Sequence, residues 1–221
     1  MGFNSTKIMA DTNKILTIFL AVIICIAAVV LLYINLPKNE TKENTSDDGN
    51  TNGETEDNET EEPVTVLTVI YGDEQTNYTL KELESMETLT GYGGSRKSTG
   101  EVKSQGIYTG VPVSKLVELI AGDITNYSLF VISINEEGEI QNKTYNYTTI
   151  QGNIEIYNST DGTPIGTDNV TMIVCYEKDG EYLDEDSDGK IKIAFVNQDE
   201  EKITASSLWW KFVVSIEIIE S

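Results

Sequence analysis

One stretch of this chain carries no charge at all: Ile15–Leu36, read ILTIFLAVIICIAAVVLLYINL. A helix needs about 20 apolar residues to cross a hydrocarbon core, so the run predicts a single transmembrane helix. Lys7 and Lys14 precede it, and acidic residues dominate the chain beyond it. The positive-inside bias then places residues 1–14 in the cytoplasm and the C-terminal part outside the membrane. The run exceeds the apolar core of a usual signal peptide, which favours an uncleaved signal anchor over cleavage near Ala27-Ala28 and release of a secreted domain. Ile24 stands where a lipoprotein would have a small residue before Cys25. The opening Met-Gly-Phe-Asn-Ser-Thr matches a myristoylation pattern and is read as coincidence in front of a full span.

Residues 37–62 contain no aliphatic or aromatic side chain. Such a segment cannot bury enough surface to offset ordering entropy, and it is expected to be a solvated, self-repelling tether. Residues 63–221 remain, a comfortable size for one hydrophobic core. The whole chain has 37 acidic against 15 basic residues and a formal charge of −22. That excludes nucleic acid and anionic lipid head groups as expected partners of the domain, since both need a basic face. Asn-X-Ser/Thr triplets recur at Asn39, Asn44 and Asn58, and again at Asn77, Asn126, Asn142, Asn146, Asn158 and Asn169. Together with the topology they point to an extracytoplasmic glycoprotein of the cell membrane. Cys175 is the one cysteine beyond the span, so no intrachain disulfide framework forms, and its apolar neighbours mark it as a small buried hydrophobe.

Within residues 63–221, Val64–Tyr71 is β-branched and apolar, a buried strand. Gly72–Asn77 reads as a turn, and Thr79-Leu80-Lys81-Glu82 as a capping box opening a short helix. Thr88–Thr99 starts as a strand and breaks into a glycine-rich loop. Thr99–Gly110 is a turn-rich lead-in to the best amphipathic helix, with Pro112 in its first turn, Val113, Leu116, Val117 and Ile120 on one face, and Gly122 to end it. Strands are expected at 128–135, 143–147, 153–157, 170–176, 190–196 and 212–219, the fifth alternating with Ile191, Ile193 and Phe195 on one side. Two early helices and many later strands make a β-rich α+β domain.

The ordered part resembles the molybdopterin-binding domain of the sulfite oxidase family of oxidoreductases. The residues that carry the likeness are Tyr108-Thr109-Gly110-Val111 leading into the Leu116-bearing helix, the turn from Tyr176 through Gly180 to Leu183, Gly189-Lys190-Ile191-Lys192-Ile193, and Leu208-Trp209-Trp210-Lys211-Phe212-Val213. The resemblance implies the family's fold, a molybdopterin cofactor, and a cysteine thiolate on molybdenum just before the glycine-rich loop. That neighbourhood reads Leu89-Thr90-Gly91-Tyr92-Gly93-Gly94, without cysteine, and the chain has no histidine. Gly91, Tyr92, Arg96 and Lys97 are the candidate cofactor-binding residues, the two cations able to hold an anion beside backbone N–H groups.

Asp184, Asp186 and Asp188 alternate ahead of Gly189 like the start of a calcium loop, but Phe195 stands at the twelfth position, where a bidentate acid is required. A solvated acidic hairpin is the alternative. Ser206-Ser207 has no histidine to activate it, which speaks against nucleophilic catalysis. Trp209 and Trp210, adjacent in an expected strand, should face opposite ways, one into the core. The function these residues imply is a membrane-anchored extracytoplasmic binding or cell-surface module without catalysis. Two alternatives are a molybdopterin-dependent oxidoreductase with non-cysteine metal ligation and a calcium-stabilised surface protein.

Overall fold

The computed structural model describes residues 63–220; the expected cytoplasmic tail, span and tether (1–14, 15–36 and 37–62) lie outside the described residues, as do Asn39, Asn44 and Asn58. No helix among the described residues is long and apolar enough to cross a membrane.

Among these residues, thirteen strands and four short helices succeed one another. Strands β1 (Thr65–Tyr71) and β2 (Glu74–Thr79) lead into helix α1 (Leu80–Glu84). Next come β3 (Leu89–Arg96), β4 (Val102–Pro112), helix α2 (Val113–Ala121), β5 (Tyr127–Ile134), β6 (Ile140–Tyr145) and helix α3 (Tyr147–Ile150). The rest is β7 (Asn153–Asn158), β8 (Pro164–Asn169), β9 (Thr171–Lys178), β10 (Glu181–Tyr182), helix α4 (Glu185–Asp188), β11 (Lys192–Val196), β12 (Lys202–Ala205), a 3₁₀ turn at Ser206–Leu208, and β13 (Val213–Glu220). The domain is β-rich α+β.

The strands form two sheets. The first has the order β2-β1-β13-β5-β6, with β1 and β13 parallel and the other pairs antiparallel. The second has the order β10-β9-β4-β3-β12-β7-β8, with β11 also paired to β9. One core joins them: Leu67, Val69, Leu129, Val131, Ile216 and Ile218 of the first sheet pack with Val111, Met172, Val174, Ile193 and Phe195 of the second. Each such side chain, fully buried, contributes roughly 1.5–3 kcal/mol. A smaller cluster of Tyr108, Ile173, Cys175, Leu183, Ala194 and Val196 lies on the other face of β4, β9 and β11. Successive residues of a strand point to opposite faces, so β9 and β11 feed both clusters. The apolar run 170–176 is therefore continuous, and β11 is buried along its whole length rather than on the Ile191–Ile193–Phe195 side alone.

The Thr79 capping box is present, with the Thr79 hydroxyl accepting from the Glu82 N–H and the Glu82 carboxylate accepting from the Thr79 N–H at 2.7 Å. Helix α2 buries Val113, Leu116 and Val117 and ends at Gly122, whose φ is +70°. Other expectations are corrected. The Gly72–Asn77 turn is confined to Gly72 and Asp73, and β2 begins at Glu74. The Thr99–Gly110 lead-in is mostly the eleven-residue strand β4. Strands β8 (PIGTDN) and β12 (KITA) form where no strand is expected from sequence, because β8 pairs with β7 and β12 lies between β3 and β7. The Asp184–Gly189 stretch is helix α4, capped by the Asp184 side chain.

The expected glycine-rich loop is instead strand β3, which continues through Gly91, Gly93 and Gly94 to Arg96. A Cβ at Gly91 would stand 2.8 Å from the Asn197 carbonyl oxygen, one at Gly93 would stand 2.9 Å from that of Phe195, and one at Gly94 would stand 2.6 Å from the Ile203 Cγ2. These glycines admit neighbouring chain against β3.

Candidate functional site

A cleft of about 460 Å³ opens where the end of β3, the start of β4, α4, β11 and the segment before β13 meet. Lys97, Lys103, Lys192 and Lys211 line it, with Asp188 and Trp209, Trp210 and Phe212. Four of the chain's 15 basic residues thus gather at one place on a molecule of charge −22. Ser133, Asn135 and Gln141, from β5, its following turn and β6, add polar groups to the wall.

The inner wall is built on Lys192. Its side chain is 5% exposed, and its ammonium lies 4.9 Å from the Tyr108 ring centroid and 5.9 Å from that of Trp209. The two rings meet edge to face at 5.1 Å, and Trp209 Nε1 donates to Thr204 Oγ1 at 2.8 Å. Asp188 supplies the counter-charge, with one carboxylate oxygen 3.1 Å from Lys192 Nζ and the other 3.1 Å from Lys211 Nζ. Burial lowers the Lys192 pKa below the ordinary lysine value, and attraction to Asp188 offsets only part of that. Burial pushes the Asp188 carboxyl upward, yet the Lys192 and Lys211 charges outweigh it and leave its pKa below the ordinary value.

The local chain explains how Asp188 reaches both lysines. Gly189, at φ +77°, lets the Phe212 backbone pass so closely that a Cβ would stand 2.7 Å from the Phe212 Cα. Phe212 N–H donates to the Asp188 carbonyl at 2.9 Å, and Phe212 itself is held at φ +54°. Lys211 Nζ also donates to the Ser187 carbonyl at 2.9 Å. The outer wall repeats the charge pattern: Glu101 is 3.0 Å from Lys97 Nζ and 3.2 Å from Lys103 Nζ, all three well exposed. Two carboxylates thus serve four ammonium groups.

The residues named from sequence are scattered by the fold. Gly91 and Tyr92 lie against Asn197, with the Tyr92 N–H donating to the Asn197 carbonyl at 2.8 Å and the reverse bond at 2.9 Å. Arg96 Nε donates to the Gly162 carbonyl at 2.6 Å and the guanidinium stacks 4.7 Å over Tyr157, which ties β3 to the β7–β8 turn. Only Lys97 of that set lines the cleft. Of the three acids read as a calcium loop, Asp184 caps α4, Asp186 is exposed, and Asp188 is engaged by two lysines. Among the described residues no three Asp, Glu or Cys side chains stand together as a metal-binding group. Neither tryptophan sits in a strand: Trp209 packs on the smaller cluster and Trp210 on the main core, and both are half-buried. The Trp210 Nε1–H is buried without a hydrogen-bond partner among the described residues. The sequence reading missed Lys103, Lys192 and Lys211; the available signal was Lys192, a cation inside the apolar run Ile191–Val196.

A thiolate-ligated molybdenum does not fit these residues. No residue of Leu89–Gly94 carries a thiol, and a Cβ at Gly91 would stand 2.8 Å from the Asn197 carbonyl oxygen. Cys175, the one cysteine among the described residues, is fully buried in the smaller cluster, where burial pushes its thiol up to about 12. The six described Asn-X-Ser/Thr asparagines are all at the surface: Asn77, Asn126, Asn142, Asn146 and Asn169 are exposed and Asn158 is half-buried.

No family model matches the chain, and no curated protein matches it. Among solved structures, the sulfane dehydrogenase SoxCD from Paracoccus pantotrophus is similar, with a TM-score of 0.47 and 12% identity. That likeness covers 70% of this chain, which spans 38% of the length of the SoxCD chain.

Proposed function

We propose that the chain is a single-span membrane protein whose extracytoplasmic domain binds a small anion in the lysine-lined cleft and performs no redox turnover. The observation that carries this reading is the charge balance of the cleft, four ammonium groups against two carboxylates on a strongly acidic chain. An anion entering there meets the positive charge left over, and the low-dielectric walls of Trp209, Trp210 and Phe212 strengthen the attraction. The cleft volume falls within the range of small-molecule sites. It is far too small for a nucleic acid strand to be the ligand. The sulfite oxidase-like resemblance supports a scaffold of that kind, and a Leu89–Gly94 segment without a thiol supports its use without a thiolate-bound metal.

Thermal melts of the purified full chain in detergent test the reading. Citrate, phosphate or sulfate, compared with chloride at matched ionic strength, should raise the midpoint, because a ligand held only by the native state adds about 2.7 kcal/mol at 100 times its Kd. The Lys97→Gln/Lys103→Gln variant should lose most of that shift. An identical midpoint in all the salts would overturn anion binding. Stoichiometric molybdenum or tungsten in the native protein would overturn the absence of redox chemistry.

A further inference from the structure

Among the described residues the two sheets leave three long edges open, and each open edge carries one Asn-X-Ser/Thr triplet. In the first sheet the outer strands are β2 and β6, which carry Asn77-Tyr78-Thr79 and Asn142-Lys143-Thr144. In the second sheet the outer strand at one end is β8, whose last residue begins Asn169-Val170-Thr171. The opposite end needs no such cover. There β10 is two residues long, and β11 is closed on its free side by a bridge in which Ile193 and Trp210 exchange backbone hydrogen bonds of 2.7 and 3.2 Å.

An open edge presents a row of unpaired N–H and C=O groups on which a second chain can extend the sheet. The usual protections are thin here. Each of the three strands is six residues long. β2 has only Glu74, β6 only Lys143, and β8 Pro164 and Asp168. All three asparagines are exposed. At Asn77 the hydrogen bonds from Thr68 Oγ1 (3.0 Å) and Gln75 Nε2 (3.1 Å) run to Oδ1, which leaves Nδ2, the atom a glycan joins, unengaged by them.

We propose that N-linked glycans on Asn77, Asn142 and Asn169 shield the open edges of β2, β6 and β8 and keep the domain monomeric. The modification forms a bond from a sugar C1 to the asparagine Nδ2 as the C1–O bond of an activated lipid-linked glycan breaks; the lipid phosphate leaves with that electron pair and takes up the proton lost by Nδ2. The proposal rests on the extracytoplasmic placement of the domain, not on the anion site.

The full chain, expressed in a host that exports and N-glycosylates it, is mapped by glycopeptide mass spectrometry. Half is then trimmed enzymatically in the folded state, and both halves are compared by sedimentation. Occupancy at all three edge sites, with the trimmed sample shifting from monomer to concentration-dependent oligomers, is the expected result. Unmodified edge asparagines would overturn the proposal, as would a trimmed sample that stays monomeric. A Thr144→Ala/Thr171→Ala variant removes two sites without altering any asparagine, and it should show a partial shift. Anion-dependent melting measured on the same samples reports on the cleft separately, so either reading can fail alone.

Discussion

Two lysine pairs in the cleft each share one carboxylate, and they differ in how much water reaches them. Asp188 and Lys192 are anchored at the protein interior, 18% and 5% exposed, and Lys211 reaches Asp188 from the solvent side; Glu101 with Lys97 and Lys103 stands in solvent. The same charge arithmetic therefore does two jobs. Where water is excluded, removing one partner strands a charge and costs several kcal/mol. Where water is present, the pair contributes little to stability and leaves its charge free for a ligand. The inner group holds β11, α4 and the β13 entry together, and the outer group sets the potential at the mouth.

The largest break in that comparison is Asp188→Ala. It leaves the Lys192 ammonium between Tyr108 and Trp209 with no counter-charge, and the expected loss is about 3–5 kcal/mol in denaturant unfolding. A loss below about 1 kcal/mol would show that the inner group behaves like the outer one. Replacing both partners, Asp188→Leu with Lys192→Met, removes the stranded charge. That variant should recover to within about 1 kcal/mol of the parent, because hydrophobic residues of similar volume replace buried pairs at little net cost.

Titration separates the two groups next. Asp188 has its folded pKa below the ordinary 3.8, so its contribution is present above that pH and lost as pH falls through the folded value. Lys192 has its folded pKa below 10.5. Between that value and 10.5 the unfolded chain binds more protons, and stability rises with pH. Lys97 runs the other way: the Glu101 carboxylate 3.0 Å away raises its pKa above 10.5, so its contribution is lost as pH rises through the folded value. Melting midpoints across the alkaline range should therefore rise less in Lys192→Met than in the parent. An unchanged alkaline slope would remove Lys192 as its source.

Elements whose stability is local were legible in the sequence. The Thr79 box, the Val113–Leu116–Val117 face and the long apolar strands need no knowledge of what lies across from them. Strands β8 and β12 were not legible, since PIGTDN shows no apolar alternation and KITA is only four residues long; β8 is a strand through pairing with β7, and β12 through pairing with β3 and β7. The same limit applied to the site. Gly91, Gly93 and Gly94 read as a flexible loop because a sequence cannot say that Asn197, Phe195 and Ile203 press against them. Lys97 was found beside Arg96, but Lys103, Lys192 and Lys211 come from three different elements, and no spacing along the chain brings them together. Lys192 could have been singled out. A lysine at the head of a fully buried apolar strand must find a carboxylate, and Asp188 stands four residues before it.

The smallest stability effect belongs to Glu101→Gln, and it is the sharpest test of what the outer group is for. Glu101 accepts from Lys97 at 3.0 Å and Lys103 at 3.2 Å, and those bonds hold its carboxyl below the ordinary value. All three side chains are close to half exposed or more, so the unfolding midpoint should not move measurably. Ligand affinity should move in the opposite sense from a stabilising contact: with the carboxylate gone, both ammonium groups face the cleft unshared. Binding of citrate or phosphate should tighten a few-fold at low salt. The gain should fade as ionic strength approaches about 1 M, where the screening length shrinks to about 3 Å. Weaker binding in this variant would mean that Glu101 positions the two lysines for the anion rather than competing with it, and the outer group would then be structural in the same sense as the inner one.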